Sequence, residues 1–393
     1  MSTDSICPNC GVSGMSPFYE VRNVPIHSCL MMSTQQDALK FPRGDISLGF
    51  CEGCGFISNL AFDSSALDYS SIYEDQQSFS PTFNAFAQNL ASRLIKKYDL
   101  YNKDIVEIGC GKGDFLRLLC ELGDNRGVGI DPACAKDRVQ SEVAECVTFI
   151  QDNYSEAYAS YHGDLVCCRH TLEHIYSTAE FVSMVRRTIG DRKETIVFFE
   201  VPDVTRILRD LAFWDIYYEH CSYFSPESLA HLFRSCDFEL LDLYRDYGDQ
   251  YLLIEARPVN KPSCKVHELE ESLEQISRDV RNFSTHCRDR LDYWRQTLQQ
   301  ICAERKRTVV WGAGSKCLAF MTTLGFKNEI EYVVDINPYL HGKFIPGVGK
   351  EIMPPEFLKE YKPDVVIVMN PIYCDEIRQM LDNMGLTPEM TSV

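Results

Sequence analysis

The sequence predicts an α/β protein built on a doubly wound parallel sheet, with a small cysteine-containing module before it and a second, smaller α/β unit after it. Three observations lead to this prediction. The apolar run DIVEI breaks into a glycine turn at residues 109–113 and continues as the amphipathic run FLRLLCELG. This is the pattern of a buried strand, a tight turn and a helix. The same pattern recurs in RTVVWGAGSKCLAF, and two C-x-x-C pairs lie near the N-terminus.

Length and composition limit the possible functions. The 393 residues are enough for two or three domains, and 45% hydrophobic residues are ample for large cores. A net charge of −18 argues against a broad basic surface for nucleic acid. The first residues show no signal sequence and no apolar run approaches the ~20 residues that span a bilayer, so we expect a cytoplasmic protein with no membrane partner. Eighteen cysteines in such a chain indicate thiols or metal ligands in a reducing compartment.

Residues 1–60 form the predicted N-terminal module. Its pairs CPNC and CEGC have the spacing of zinc knuckles, in which each pair gives two thiolates to a tetrahedral ion. We therefore expect structural zinc held by Cys7, Cys10, Cys51 and Cys54. Buried free cysteines are the alternative, and a redox pair is disfavoured because two matched pairs are present outside any βαβ pattern. His27 and Cys29 are interpreted as core or surface residues.

Residues 61–85 form a polar, aromatic bridge to the central unit. Tyr69 and Tyr73 would share one face of a helix, because they are four residues apart. The bridge lies directly ahead of the central sheet. It is therefore interpreted either as a segment that packs on the sheet or as a lid over a ligand site.

The central unit is assigned to residues 86–258, and its glycine turn is a candidate ligand site. The turn lacks a Lys-Ser/Thr ending, which excludes a Walker A loop, and its G-x-G-x-G spacing differs from the dinucleotide fingerprint. An acid precedes the turn, and two further acids follow the next two strands, in GVGIDP and FIQDNY. Such sheets bind ligands at the carboxyl ends of their strands. The expected contacts are Glu107, Gly109, Gly111, Gly113, Asp131 and Asp152.

This order of motifs resembles the class I S-adenosylmethionine (SAM) methyltransferases, whose first motif reads E/D-x-G-x-G-x-G. The resemblance implies SAM as the cofactor. Asp131 would then meet the ribose hydroxyls, and Asp152 would meet the adenine amino group. A structural alternative is an α/β core whose glycines only turn the chain, but it does not explain why acids follow successive strands.

The stretch WDIYYEHCSYFSPESLAHLF contains the candidate catalytic loop. Ser225 is the expected start of an amphipathic helix. The loop before it carries Tyr217, Glu219, His220 and Tyr223. Polar aromatic residues, an acid and a histidine after a parallel strand are typical of catalytic loops in such folds. In DLVCCRHTLEHI, His170 follows another strand, and His174 is interpreted as structural.

The whole chain resembles the sugar C-methyltransferase family, on the order of cysteine module, SAM unit, Y-x-E-H-x-x-Y-F-S loop and small C-terminal α/β unit. Those enzymes methylate carbon 3 of nucleotide-linked 4-keto-deoxysugars. The resemblance implies a small-molecule substrate, a nucleotide-sugar. The family's site residues correspond to a general base, His220, and to the supporting residues Glu219, Tyr217, His170 and either Tyr69 or Tyr73.

The chemistry of carbon methylation suits these residue types. Carbon becomes nucleophilic only after a proton next to a carbonyl is removed. A histidine with a pKa near ~6.5 can take that proton, and a neighbouring carboxylate such as Glu219 can tune it. Tyrosine or imidazolium donors can stabilise the enolate oxygen. The alternative for His220 is a structural loop histidine bonded to Glu219.

The remaining chain is divided into a linker, residues 259–306, and a C-terminal domain, residues 307–393. The linker has helical periodicity and is predicted to be one long helix or a helical pair. The C-terminal domain is predicted to be Rossmann-like, with GAGSK as its glycine turn. This turn either holds a diphosphate at a helix N-terminus or is vestigial. The candidate substrate-binding residues are Gly314, Ser315, Lys316 and Asn370.

Two other functions compete with methylation of a sugar carbon. The first keeps SAM but changes the acceptor: O- or N-methylation, or C-methylation of another enolisable carbonyl compound. The second is a catalytically idle SAM-binding scaffold whose zinc module contacts a partner. The Y-x-E-H loop favours an enzyme.

Overall fold

An antiparallel sheet of four strands organises the N-terminal unit, in the order β1-β2-β3-β9. In the computed structural model, which describes residues 5–67, 73–134, 146–325 and 329–393, helix α1 (Gln35–Leu39) lies between its first two strands. The strands are β1 (Ser16–Pro25), β2 (Arg43–Phe50), β3 (Ile57–Asn59) and β9 (Ser222–Tyr223). Strand β9 belongs to the candidate catalytic loop, and backbone pairing joins Ile57 to Tyr223 and Ser58 to Ser222. The sequence predicts a loop there, whereas the structure makes its end an edge strand of the N-terminal sheet.

The central sheet has seven strands in the order β10-β11-β8-β7-β4-β5-β6. Its strands are β4 (Asp104–Ile108), β5 (Arg126–Ile130), β6 (Val147–Ile150), β7 (Leu165–Arg169), β8 (Ile196–Pro202), β10 (Phe238–Asp246) and β11 (Tyr251–Pro258). The first five are parallel, and β11 pairs antiparallel with both β8 and β10. The chain winds outward from β4 in both directions, which confirms the predicted doubly wound sheet. The turn after β4 therefore lies at the topological switch point, where such sheets bind ligands.

Five helices cover or flank this sheet: α2 (Pro81–Tyr98), α3 (Asp114–Gly123), α4 (Thr178–Ile189), α5 (Val204–Arg209) and α6 (Pro226–Ser235). Helix α2 begins inside the segment assigned to the bridge, because Ser80 caps it and Pro81 occupies its first turn. Helix α6 begins as predicted, with Ser225 and Ser228 forming a capping box.

The linker is a single helix, α7 (Leu273–Ala303), of 31 residues. It leads to a five-stranded parallel sheet in the order β14-β13-β12-β15-β16. The strands are β12 (Thr308–Trp311), β13 (Tyr332–Val334), β14 (Ile352–Met353), β15 (Val365–Val368) and β16 (Glu389–Ser392), and the helices are α8 (Ser315–Leu324), α9 (Leu358–Tyr361) and α10 (Cys374–Asn383). Within the described residues, no helix is both long and apolar enough to cross a membrane.

Short 3₁₀ helices occupy several connections. They are Ser64–Ala66, Glu156–Tyr158, Leu172–His174, Phe213–Asp215, Pro338–Leu340, Pro355–Phe357 and Pro371–Tyr373. The turn at Leu172–His174 directly follows β7, and the turn at Phe213–Asp215 directly precedes the candidate catalytic loop. Both therefore hold site residues in a fixed backbone conformation.

One hydrophobic core joins the N-terminal sheet, α5, α7 and the C-terminal sheet. The ring of Phe320 on α8 lies edge-on to Trp294 of α7, with ring centroids 5.1 Å apart, and stacks on Phe213 at 6.0 Å. Trp294 is buried, whereas its neighbour Tyr293 is 54% exposed. Packing around Trp294 thus fixes the C-terminal domain against the loop that leads into the site.

We expect Trp294→Ala to lower the free energy of unfolding by about 3–5 kcal/mol, because it leaves a cavity at the junction of α7 and α8. Tyr293→Ala is the matched control and should change it by less than about 0.5 kcal/mol, since its ring is largely in solvent. Urea denaturation followed by circular dichroism measures both. Equal stability of the two variants would show that this packing is not a main support of the domain arrangement.

Candidate functional site

A cavity of about 750 Å³ lies where the central sheet, the bridge and the C-terminal domain meet. Its walls come from the glycine turn after β4, bridge residues 73–80, the turn after β7, the loop before β9 and the start of α8. The residues predicted for the cofactor, for catalysis and for the substrate thus largely border one space.

The glycine turn after β4 has the geometry of a ligand cradle. Gly109, Gly111 and Gly113 all have positive φ angles, which favour glycine. A Cβ built on Gly109 would lie 1.9 Å from Thr171 Oγ1, whereas one built on Gly111 would meet nothing within 4 Å. The backbone N–H of Gly111 donates to Asp131 Oδ2 at 2.9 Å. The strand-end acid and the open side of the turn therefore lie next to each other.

Glu107 adds a buried polar group beside this cradle. Burial raises the pKa of Glu107 to about 8 despite the nearby Arg169. Within the described part of the chain, its Oε2 atom has no hydrogen-bond partner. A buried oxygen without a partner, an open glycine turn and a carboxylate at the strand end fit a polar nucleoside ligand.

Asp152 lies farther out than the other predicted cofactor residues. It is exposed, and its carboxylate accepts hydrogen bonds from the Tyr158 hydroxyl and from the backbone N–H of Asn153. Asn153 and Tyr154 line the cavity, whereas Asp152 is not among the described residues that line it. Its contact with adenine stays a prediction.

His220 is buried at the wall of the cavity, next to Tyr217. The two rings have centroids 4.1 Å apart, and the edge of His174 meets the His220 ring at 4.8 Å. Burial, followed by electrostatic interactions with His174, His170 and Lys316, lowers the pKa of His220 well below 6.5. His220 is therefore neutral at neutral pH, which is the state that can accept a proton.

The carboxylate of Glu219 lies among donors from the N-terminal unit and the bridge. Its carboxylate accepts hydrogen bonds from His27 Nδ1 at 2.5 Å, the Ser28 N–H at 3.0 Å, the Ser28 hydroxyl and the Tyr73 hydroxyl at 3.3 Å. Burial opposes ionisation, but the hydrogen bonds from His27 and Ser28 keep the pKa of Glu219 below its usual range. The sequence predicts that Glu219 orients or tunes His220, and this role stays a prediction. The hydrogen bonds of Glu219 also connect it to Tyr73, which lines the cavity.

His170 belongs to a buried group of charges after β7. Its φ angle of 48° is rare for a residue other than glycine. Arg169 Nε and Nη2 donate to Glu200 at 2.9 and 3.0 Å, and His170 Nε2 lies 2.7 Å from Glu200 Oε1. Burial lowers the pKa of His170, but Glu200 and Glu173 outweigh it and raise this pKa to about 9. His170 therefore presents a positive charge to the cavity at neutral pH.

The C-terminal domain places its glycine turn opposite that of the central sheet. Gly314, Ser315 and Lys316 line the cavity. The Ser315 hydroxyl lies 2.9 Å from that of Ser28, and Lys316 forms an ion pair with Asp215. Burial lowers the pKa of Lys316 although Asp215 opposes this. Both residues thus contact the other units as well as the cavity.

Two further contacts in the C-terminal domain bear on the predicted substrate residues. Asn370 and Gln250 exchange hydrogen bonds between their amides at 2.9 and 3.1 Å, which joins the C-terminal domain to the turn before β11. The N–H of Ala313 donates to Asp335 Oδ2 at 2.7 Å, as Gly111 does to Asp131. The C-terminal sheet therefore repeats the turn-to-acid contact of the central sheet.

The bridge contributes Tyr73 to the site, while Tyr69 lies outside the described residues. Residues 73–80 contact both neighbouring units: Gln76 Nε2 donates to Asp114, Asn337 Nδ2 donates to Glu74 at 3.0 Å and the Ser80 hydroxyl donates to Glu376 at 2.7 Å. The described bridge thus forms one wall of the cavity.

Several site residues were not predicted from the sequence. His27 and Ser28 hold Glu219, Glu173 lies near two histidines, and Arg206 lines the cavity beside Asp215. Arg206 was detectable in principle, because α5 follows the carboxyl end of β8. His27 carries no local signal, since its partner lies 192 positions away.

We expect Gly111→Val to weaken SAM binding about 100-fold or more, because a branched side chain would fill the open side of the turn. Gly385→Val is the matched control: Gly385 also has a positive φ with nothing within 4 Å, but it lies in a turn of the C-terminal domain. Titration calorimetry with SAM measures both. Unchanged affinity in Gly111→Val would contradict the placement of the cofactor.

Two family models match this chain. Residues 82–243 match a model described as a methyltransferase domain, and residues 257–386 match one described as a C-methyltransferase C-terminal domain. The C-methyltransferase NovU of Streptomyces niveus is 27% identical over 324 residues, which cover 76% of this chain and 74% of that protein.

Solved structures of methyltransferases are similar to parts of the chain. The dimethyltransferase RosA of Streptomyces davawensis is 18% identical with a TM-score of 0.35, over 45% of this chain and 56% of that one. Human N-acetylserotonin methyltransferase in complex with SAM is 17% identical with a TM-score of 0.35, over 44% and 55%. The chain thus spans just over half the length of these two proteins. The family models and the relative show that the chain is a SAM-dependent methyltransferase, and they support its place in a C-methyltransferase family.

Proposed function

We propose that this enzyme methylates carbon 3 of a nucleotide-linked 4-keto-deoxysugar, with His220 removing the proton next to the ketone. The observation that carries the proposal is the shared cavity. It combines a cofactor cradle after β4, a neutral buried His220, and a cationic region supplied in part by the C-terminal domain. Proton removal next to a ketone and methyl transfer need the first two, and a diphosphate-bearing acceptor needs the third.

The residues around His220 have different roles in the deprotonation step. His220 takes the proton from carbon, and the electron pair moves towards the carbonyl oxygen. The positively charged His170 stabilises the negative charge that forms there, with Tyr217 as a further donor at the cavity wall. Glu219 holds Tyr73 in place. Bound SAM, held at Glu107, Gly109, Gly111, Gly113, Asp131 and Asp152, supplies an electrophilic methyl group.

The acceptor's phosphate groups suit the opposite end of the cavity. Lys316 and Arg206 both contact the carboxylate of Asp215, with Arg206 Nη1 at 3.3 Å from Oδ2. Arg206 also lies 3.3 Å from Asp210, but Asp210 is not among the described residues that line the cavity, whereas Arg206 and Lys316 are, so this part of the wall presents positive charge. This charge favours a diphosphate near Gly314, Ser315, Lys316 and Asn370, the residues proposed to bind the substrate.

A panel of nucleotide-sugars incubated with SAM tests the substrate class directly. Mass spectrometry should detect the gain of one methyl only with 4-keto sugars. A gain on hydroxyl or amino compounds that lack a ketone would favour O- or N-methylation instead.

The four N-terminal cysteines are proposed to bind one structural zinc ion. The Sγ atoms of Cys7 and Cys54 are 3.8 Å apart, and those of Cys10 and Cys51 are 3.6 Å apart. Zinc–thiolate bonds of about 2.3 Å in a tetrahedron place sulfur atoms about 3.8 Å apart. The knuckle contacts the central unit, because Asn9 Nδ2 donates to the Ser228 carbonyl at 3.1 Å. Zinc would thus hold this knuckle against α6.

We expect the purified protein to contain about one zinc per chain. The Cys54→Ser variant should lose this zinc, and its N-terminal unit should become sensitive to proteolysis. Cys264→Ser is the control, because Cys264 is exposed and lies outside the cluster. Elemental analysis and limited proteolysis give the two readouts. Freshly purified wild-type protein without zinc would contradict the proposal.

We expect His220→Asn to reduce turnover about 10²–10⁴-fold, the usual scale for loss of a general base. SAM affinity should persist, because the cofactor residues are unchanged. Exchange of the acceptor's proton with deuterated solvent, measured without SAM by NMR, should fall in parallel with turnover.

His231→Asn is the matched control, because His231 is exposed on α6 away from the cavity. This variant should exchange the acceptor's proton and methylate the acceptor at wild-type rates. O- or N-methylation predicts no exchange even in the wild type. A purely structural His220 predicts lost stability with normal exchange per folded molecule.

A further inference from the structure

Glu173 lies between the two histidines of the site, on the turn after β7. Its side chain is buried, with 1% of the residue exposed. Its Oε1 atom lies 3.4 Å from His170 Nδ1 and 4.0 Å from His220 Nε2. The Cys221 N–H donates to the Glu173 carbonyl at 3.0 Å, so this turn and the catalytic loop are joined next to both side chains.

The side chain of Glu173 is poorly satisfied in this arrangement. Within the described chain, neither of its carboxylate oxygens has a partner at hydrogen-bond geometry. Leaving a buried polar group in this state is costly, so such groups usually have a functional reason. The position of Glu173 indicates what this reason is, because a carboxylate favours the protonated form of each histidine that it approaches.

The other charged groups around His220 act in the opposite direction. His174, His170 and Lys316 all disfavour a positive charge on its ring. The hydrogen bonds of Glu219 go to His27, Ser28 and Tyr73 rather than to His220. Glu173 is therefore the carboxylate that the described structure places within 4.0 Å of the ring.

We propose that Glu173 is a positioning residue that holds His170 as an imidazolium at rest and stabilises the imidazolium that His220 becomes when it takes the substrate proton. This inference rests on the proposed function. In that step the carbon–hydrogen bond breaks, its proton moves to the His220 ring, and its electron pair becomes the enolate. Glu173 neither gains nor loses a proton.

Three variants test the role of Glu173. Glu173→Gln keeps the shape but removes the charge. We expect it to slow deuterium exchange of a 4-keto sugar about 10- to 100-fold, as for the loss of a contact to a buried charged group. SAM affinity and unfolding temperature should be unchanged. Glu173→Asp keeps the charge and should recover part of the rate. Glu227→Gln is the control, because Glu227 is also buried with an unpartnered oxygen but lies off the cavity.

The pH profile separates positioning from a structural role. Without the charge of Glu173, the pKa of His220 should fall further, so the low-pH limb of exchange should move to lower pH. The pKa of His170, raised to about 9 partly by Glu173, should fall in Glu173→Gln. NMR of ¹³C-labelled histidine measures it without any acceptor, with the His170 signal identified by its absence in His170→Asn.

Distinct outcomes separate this inference from the proposed function. Wild-type exchange and an unmoved His170 titration in Glu173→Gln would overturn the inference. The inference would also be overturned if the wild type bound two metal ions per chain and Glu173→Gln lost one of them, since Glu173 would then be a metal ligand. If the wild type exchanges no acceptor proton, the proposed function fails. The His170 titration still decides whether Glu173 holds that charge, because a fall supports the contact and no fall refutes it.

Discussion

The pairing of β9 with β3 is the constraint on which the catalytic loop depends. A loop of polar residues has no conformation of its own, but Ser222 and Tyr223 are an edge strand of the N-terminal sheet. The Asn59 N–H and the Ser58 hydroxyl also donate to the Cys221 carbonyl, at 2.9 and 3.0 Å. These bonds fix the chain immediately after His220. The N-terminal unit is therefore part of the catalytic structure, although Cys7, Cys10, Cys51 and Cys54 are not among the described residues that line the cavity.

Because the backbone is fixed next to His220, two successive side chains lie in different surroundings. His220 borders the cavity, whereas Glu219 enters a buried pocket formed by His27 and Ser28. Ser28 also contacts Ser315 of the C-terminal domain. One carboxylate thus connects the N-terminal sheet, the bridge and the catalytic loop, and it meets the C-terminal turn through Ser28. A buried carboxylate needs several donors, and here those donors come from distant segments.

Features with a local signal were predictable from the sequence. The glycine turn from Gly109 to Gly113, Asp131 and the helix start at Ser225 depend on neighbouring residues, and the structure contains each of them. The partners of Glu219 and the position of Glu173 were not predictable, because they depend on how separate units pack. Sequence adjacency suggested that Glu219 tunes His220. In space the nearby carboxylate is Glu173, from a turn 47 positions away. Contacts between distant segments, which sequence spacing does not reveal, determine which carboxylate lies near His220.

The strand pairing at β9 also has a consequence for folding. Ser58 and Cys221 are 163 positions apart, so their contact closes a very long loop of chain. Contacts of such separation carry the entropy of loop closure and tend to form late. The cofactor cradle needs only the strands around β4, which lie close together in the chain. We therefore expect refolding molecules to acquire the cradle before the catalytic loop, and to pass through a stage that has the fold of the central unit but not its chemistry.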